Sequence, residues 1–111
     1  MEWKILLFET PRGEKPVSEF IKSLDEKTQS KTAQAIDLLE KFGNLLRMPY
    51  SKKLTAQLYE LRIRSKQEIR IIYCFKNRNI YLLHAFKKQT QKTPKKEIET
   101  AFKRLDIIYH I

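Results

Sequence analysis

The rhythm of apolar and polar positions changes several times along the chain, and each change marks a new element. Trp3–Phe8 (WKILLF) is a short apolar run with aromatic ends, which predicts a buried strand. The turn-like ETPRGEK follows, and Pro16 suits the first position of a helix, where its missing N–H costs nothing. Val17, Phe20, Ile21 and Leu24 then recur at helical spacing, giving a short amphipathic helix to about Ser23 or Leu24. A second helix is expected from about Asp25 to Phe42, with Thr32, Ala35, Ile36, Leu39 and Phe42 on one stripe and Gly43 as the residue that ends it. Together these two helices form a hairpin whose apolar stripe needs a sheet to cover.

Asn44–Ala56 shows no period and reads as irregular. After it the period changes to two. In Leu58–Arg64 (LYELRIR), Tyr59, Leu61 and Ile63 point one way and Glu60, Arg62 and Arg64 the other. In Glu68–Lys76 (EIRIIYCFK), Ile69, Ile71, Tyr73 and Phe75 oppose Arg70, Ile72 and Cys74. Ile80–Phe86 (IYLLHAF) is nearly all apolar and predicts a central strand covered on both faces. Turns at Ser65–Gln67 and Asn77–Asn79 are short enough for hairpins. Pro94 opens a last helix, with Thr93 as its expected N-cap and Ile98, Ala101, Phe102 and Leu105 as its stripe. The expected order is β-α-α-β-β-β-α. It describes an α+β fold with a mainly antiparallel four-stranded sheet, an N-terminal helical hairpin and a C-terminal helix.

Composition narrows the class. At 111 residues a single domain spanning 1–111 is expected. The 41% hydrophobic content argues against a disordered chain, and no apolar run approaches the roughly 18 residues of a membrane span. The start has no cationic segment followed by an apolar one, so no signal peptide is expected. One cysteine, Cys74, cannot form an internal disulfide, which suits a reducing, cytoplasmic setting. Charge is the sharper signal. Residues 1–50 hold eight Lys/Arg and eight Asp/Glu, whereas residues 51–111 hold fifteen and five, so the whole net +10 lies in the second half. Such polarisation is the electrostatic footprint of a polyanion binder.

Candidate chemistry follows from strand pairing. A three-residue turn at Ser65–Gln67 sets Arg64 opposite Glu68, Arg62 opposite Arg70 and Glu60 opposite Ile72. Like charges facing one another on a sheet are destabilising. A bound anion, or the neighbouring Glu60 and Glu68, must compensate Arg62 and Arg70. A second basic group, Lys87–Lys88, stands where the last strand runs into KKQTQKTPKKE, either as phosphate ligands or as a solvated loop. His84, within an apolar strand, is a core residue or a proton carrier. A three-residue turn at Asn77–Asn79 places it on the Arg70 face, and a two-residue turn turns it away. His110 reads as an exposed tail residue. No zinc spacing, phosphate-binding glycine loop or nucleophile elbow is present, so no metal and no cofactor is expected. Cys74 reads as a small buried apolar residue.

The stretches LYELRIR, EIRIIYCF and IYLLHAFKKQTQKTPKKEIETA resemble the RelE/HigB superfamily of toxins, with most likeness to its phage-derived HigB-like branch. That pattern runs as a W/Y-E-L-R strand, an R-I-x-Y strand, an L-L-H-x-F strand and then K-K-T-Q-K-T-P-x-x-E-I. The resemblance covers about residues 1–106 and is most specific in KKQTQKTPKKEIE. It implies a RelE-like fold and a small cytoplasmic toxin of a type II toxin–antitoxin module. Such a toxin cuts mRNA in the ribosomal A site without a metal, through attack of the ribose 2′-OH on the adjacent phosphate. The implied partners are the ribosome, mRNA and a cognate antitoxin of the helix-turn-helix, HigA-like kind, with no membrane. The positions matching the RelE branch's basic catalytic residues are Arg62, Arg70 and, after the last strand, Lys87 or Lys88; His84 or a lysine is the candidate proton carrier, and Lys52, Lys53, Arg64, Lys92 and Lys95 are the expected RNA contacts.

The chain also departs from the pattern. The RelE-branch tyrosine after the last strand has no counterpart near Lys92, Thr93 and Pro94. Glu60 stands where that branch has a lysine. The Asp and His near the end of shorter HigB toxins give way to residues around Lys87 and Gln89. Arginines hold phosphate but do not readily release a proton. The residues alone therefore also allow a non-catalytic module that binds RNA or an antitoxin on the same surface.

Overall fold

The computed structural model describes residues 3–110. Its elements are β1 (Lys4–Leu7), α1 (Pro16–Lys22), α2 (Glu26–Phe42), a 3-10 turn (Gly43–Leu45), β2 (Ser51–Lys53), β3 (Tyr59–Arg64), β4 (Glu68–Lys76), β5 (Asn79–Lys87) and α3 (Lys95–Tyr109). The sheet has five strands, not four, in the order β1-β5-β4-β3-β2. It is mixed: β1 runs parallel to β5, and the other pairings are antiparallel. The added strand, β2, lies inside the segment expected to be irregular. Three residues, two of them lysines, are too few to show a period.

Helices cover both faces. Val17 of α1, Leu24 between the helices and Leu39 of α2 pack with Leu61, Ile63, Ile69, Ile71, Ile80 and Leu82. On the other face Ala101, Leu105 and Ile108 of α3 pack with Leu58, Ile72, Cys74, Leu83 and Phe86. Each fully buried aliphatic side chain contributes about 1.5–3 kcal/mol of transfer free energy. The alternating residues of β3 and β4 fall on the two faces as their period requires. Both helical stripes differ at their ends. Phe42 and Phe102 are about two-fifths exposed, and the buried stripe of α3 runs through Ala101, Leu105 and Ile108.

Local signals explain most boundaries. Asp25 caps α2 by accepting from the Thr28 N–H at 3.1 Å and the Thr28 hydroxyl at 2.7 Å, which holds its carboxyl below the usual range. Gly43 ends α2 at φ +51°, and Trp3 packs against it so closely that an added Cβ would lie 1.9 Å from the indole nitrogen. Thr93 does not cap α3. Pro94 takes the capping position, and the Thr93 hydroxyl instead donates to Glu60 Oε2 at 2.6 Å.

The β3–β4 register is as expected, with Arg62 opposite Arg70, Glu60 opposite Ile72 and Arg64 opposite Glu68. The β4–β5 connection is a two-residue turn at Asn77–Arg78, with Asn77 at φ +60°. Alone, that turn would send His84 to the face opposite Arg70. A bulge between Ile72 and Tyr73 intervenes: Tyr73 pairs with Leu82 but Ile72 pairs with His84, leaving Leu83 as the extra residue. Parity is reversed beyond the bulge, so His84 returns to the Arg70 face.

Candidate nucleic-acid interface

The face under α3 is divided. Its apolar part, around Ile72, Cys74, Leu83 and Phe86, is covered by the helix. Its charged part, built by the outward residues of β3 and the start of β4, lies beside the helix's first turn. There Glu60 is 2% exposed, with Oε1 3.6 Å from Arg70 Nε and 3.5 Å from Arg62 Nε. Arg70 is also 2% exposed, and its Nη2 lies 3.8 Å from Glu68 Oε1. Glu68 further approaches Arg64 Nε at 3.7 Å and Lys88 Nζ at 3.7 Å. Four cations thus share two carboxylates, and the cross-strand repulsion of Arg62 and Arg70 is met from within the protein. Burial pulls the Arg70 guanidinium below its ordinary pKa, with the Glu60 charge opposing. Arg70 is therefore beneath the surface, while Arg62 is partly exposed and Arg64 lies open to solvent.

His84 is held from both sides. Its Nε2 lies 2.8 Å from Glu97 Oε1 and its Nδ1 lies 3.3 Å from Arg104 Nη1. Arginine only donates, so Nδ1 is the accepting nitrogen and Nε2–H donates to Glu97. This fixes the neutral tautomer. Protonation would point an N–H at the Arg104 guanidinium. Burial lowers the His84 pKa, and the hydrogen bond to Glu97 opposes that shift. Arg104 also donates to the Leu83 carbonyl at 2.8 Å, which anchors α3 over the bulge.

The lysines are spread around this core. Lys88 turns toward Glu68, and its backbone N–H donates to the Glu68 carbonyl at 2.8 Å. Lys87 points the other way and lines an open pocket of about 480 Å³ with Phe20, Lys96 and Glu97. Lys52 pairs with Glu60 across β2–β3, and Lys53 lies 5.8 Å over the Tyr59 ring. Both are exposed, as are Lys92 in the loop before α3 and Lys95 at its start. The structure therefore brings Arg62, Arg64, Arg70 and Lys88 into one cluster. It places Lys87 with Lys96 and Glu97 in a second, and leaves Lys52, Lys53, Lys92 and Lys95 as a solvated rim. His110 is exposed and bonded to the Asp106 carbonyl.

A model of the family described as Phage derived protein Gp49-like (DUF891) matches residues 19–106. The chain belongs to this family. The Gp49-like family is RelE-like and is associated with the toxins of toxin–antitoxin systems. No curated protein matches the chain.

In this Gp49-like chain the matched residues take in both charged clusters, the bulge and most of α3. Glu97, Arg104 and Thr93 are the site residues that periodicity does not single out. Glu97 carries a trace in the sequence, as the acidic residue three places after Pro94 in KTPKKEI. Arg104 lies outside the apolar stripe of α3, and its role depends on the bulge that sets His84 beneath it. Among the described residues no three His, Cys, Asp or Glu side chains gather as a metal site, and no helix is long and apolar enough to cross a membrane.

Proposed function

We propose that this Gp49-like chain is a HigB-like toxin, formed by one domain over residues 1–111, that cleaves mRNA on the ribosome. In the reaction the ribose 2′-OH attacks the adjacent phosphorus and the P–O5′ bond breaks. The products are a 2′,3′-cyclic phosphate and a free 5′-hydroxyl. It needs an acceptor for the 2′-OH proton, a donor to the departing 5′ oxygen, and cations for the charge gained in the transition state.

The observation that carries this reading is the 2.8 Å His84–Glu97 hydrogen bond at a pocket lined by Lys87 and Lys96. It orients the Glu97 carboxylate, a proton acceptor, among exposed cations. Glu97, oriented by the His84 N–H, accepts the 2′-OH proton, and a lysine of the pocket protonates the leaving oxygen. Lys87 bears the charge of the phosphate attacked, Lys88 and Arg62 in the neighbouring cluster hold adjoining phosphates, and Arg70 holds its neighbours in place from below. Lys52, Lys53, Arg64, Lys92 and Lys95 follow the RNA backbone. Such a protein acts in the cytoplasm, uses no cofactor, and is neutralised by an antitoxin of the helix-turn-helix, HigA-like kind.

One observation favours a second reading. Both ring nitrogens of His84 are engaged inside the protein, as expected of a histidine that only anchors α3. In that case the surface binds RNA or an antitoxin without cutting. Primer extension on mRNA-programmed ribosomes separates the two. Wild type is expected to cut and Glu97→Gln to lose about a hundredfold or more in rate, the scale of one acid–base group. Bound ribosomes with intact transcripts would establish the non-catalytic module.

A further inference from the structure

Exposed apolar side chains run from the end of α2 through the segment before β2. Phe42, Leu45, Met48 and Tyr50 follow one another within nine residues and are 41%, 69%, 57% and 51% exposed. Monomeric proteins seldom leave such a run in water without a use for it. The last of these side chains, Tyr50, lines a groove of about 420 Å³. Lys31, Ala35 and Leu38 of α2 form one wall, Pro49 and Tyr50 the other, and Ile63 of β3 lies between. Arg62 and Arg64 stand at its end, and no Asp or Glu lines it.

We propose that this groove docks an amphipathic helix of a partner protein, with aliphatic side chains inward and acidic residues along its flanks. Three features select that occupant. The apolar part of the lining, Ala35, Leu38, Pro49 and Ile63, is aliphatic and Tyr50 is its one aromatic ring, whereas single-stranded RNA uses several aromatic rings for stacking. The neighbouring sheet edge, β2, is three residues long, too short to template an added strand of useful length. The rim holds Lys31, Arg62 and Arg64 without a lining carboxylate, so acidic flanks complete the charge pattern. A helix with apolar residues at i, i+3, i+4 and i+7 meets all three conditions. On the toxin reading the antitoxin supplies this helix, and Arg62 and Arg64 make the docked helix a neighbour of the RNA surface. The groove itself does not depend on that reading.

The test is selection of a displayed library of helical peptides against the full chain, followed by binding of the enriched peptides in solution. The expected winners carry an apolar stripe with acidic flanks. Their affinity falls about tenfold or more for the Lys31→Glu/Tyr50→Ala double variant, whose side chains are exposed and whose thermal melt checks the fold. Lys103→Glu, an equal charge change on α3, leaves affinity close to wild type. Winners indifferent to Lys31 and Tyr50, or no winners at all, each overturn the proposal. No ribosome enters this assay, so its failure and a failure of the cleavage assay are read separately.

Discussion

Replacing Arg70 by glutamine tests whether the facing arginines are balanced from within. Arg70 and Glu60 are each 2% exposed and 3.6 Å apart. Breaking a buried ion pair by removing one partner costs about 3–5 kcal/mol, mostly because the other charge is stranded. Glu60 would not be wholly stranded, since Arg62 remains at 3.5 Å and the Thr93 hydroxyl at 2.6 Å. Relief of the Arg62–Arg70 repulsion offsets a little more. The expected loss is therefore about 2–3 kcal/mol, or about 8–12 °C at roughly 4 °C per kcal/mol for a chain of this size. Glu60→Gln should cost more, about 3–5 kcal/mol, because it leaves two arginines face to face, with Glu68 beside Arg70 alone. Arg64→Gln, at an exposed pair, should cost under about 0.5 kcal/mol. Calorimetric melts of both single variants and Glu60→Gln/Arg70→Gln close a double-mutant cycle, with an expected coupling of about 1–3 kcal/mol. A loss below about 1 kcal/mol for Arg70→Gln, with a coupling near zero, would refute internal compensation. If wild type then gained stability from added phosphate, a bound anion would be the missing partner.

Four further outcomes follow from the geometry. The His84 pKa is lowered from 6.5 on folding, so the unfolded chain binds its proton first. Stability should be full above about pH 6.5 and decline as pH falls from there through the lower folded value; a His84→Gln variant that keeps the same slope would exclude His84 as its source. Gly43→Ala would place Cβ 1.9 Å from the Trp3 indole at φ +51°, so a loss of about 2 kcal/mol or more is expected in urea unfolding followed by Trp3 fluorescence, and an unchanged midpoint would contradict that packing. Affinity for ribosomes should fall with salt, and reversing Lys87 and Lys88 should weaken binding more than reversing Lys27 and Lys31; equal losses would exclude a localised surface. Burial pushes the Cys74 thiol up to about 11, so alkylation should follow unfolding, and rapid labelling of the folded chain would contradict the buried position.

The parts of the fold legible in the sequence are those governed by local period and turn length. Ser65–Gln67, between Arg64 and Glu68, defines the β3–β4 register, and that register sets Arg62 against Arg70. Pro16, Asp25 and Gly43 mark helix ends through backbone chemistry that depends on near neighbours. What escaped depends on distant partners. β2 exists because Ser51, Lys52 and Lys53 find Leu61, Glu60 and Tyr59 across the sheet, not because SKK favours a strand. Thr93 leaves its expected capping role because its side chain is turned toward the buried Glu60 carboxylate, to which its hydroxyl donates, while Pro94 takes the capping position. His84 is the sharpest case. Its face depends on one extra residue, Leu83, and nothing in IYLLHAF distinguishes a bulged strand from a straight one.

The bulge also joins the two halves of the site. Without it His84 would face α1 and α2, Glu97 and Arg104 would have no imidazole to hold, and α3 would keep its polar tie to the sheet at its far end, from Lys76 Nζ to the Ile108 carbonyl at 2.7 Å. With it, the first turns of α3 carry a polar tether, Glu97 to His84, alongside a second from the preceding loop, Thr93 to Glu60. Glu60 in turn braces Arg62 and Arg70. The lysine pocket and the arginine cluster are thus tied to the same helix start, one through each tether. Moving that turn away from the sheet would free Glu97 from its imidazole and remove one of Glu60's three partners in a single displacement. A partner that shifts α3 therefore need not touch Arg62 or Lys87 to alter their surroundings, because it would break the His84–Glu97 bond and loosen the cation cluster together.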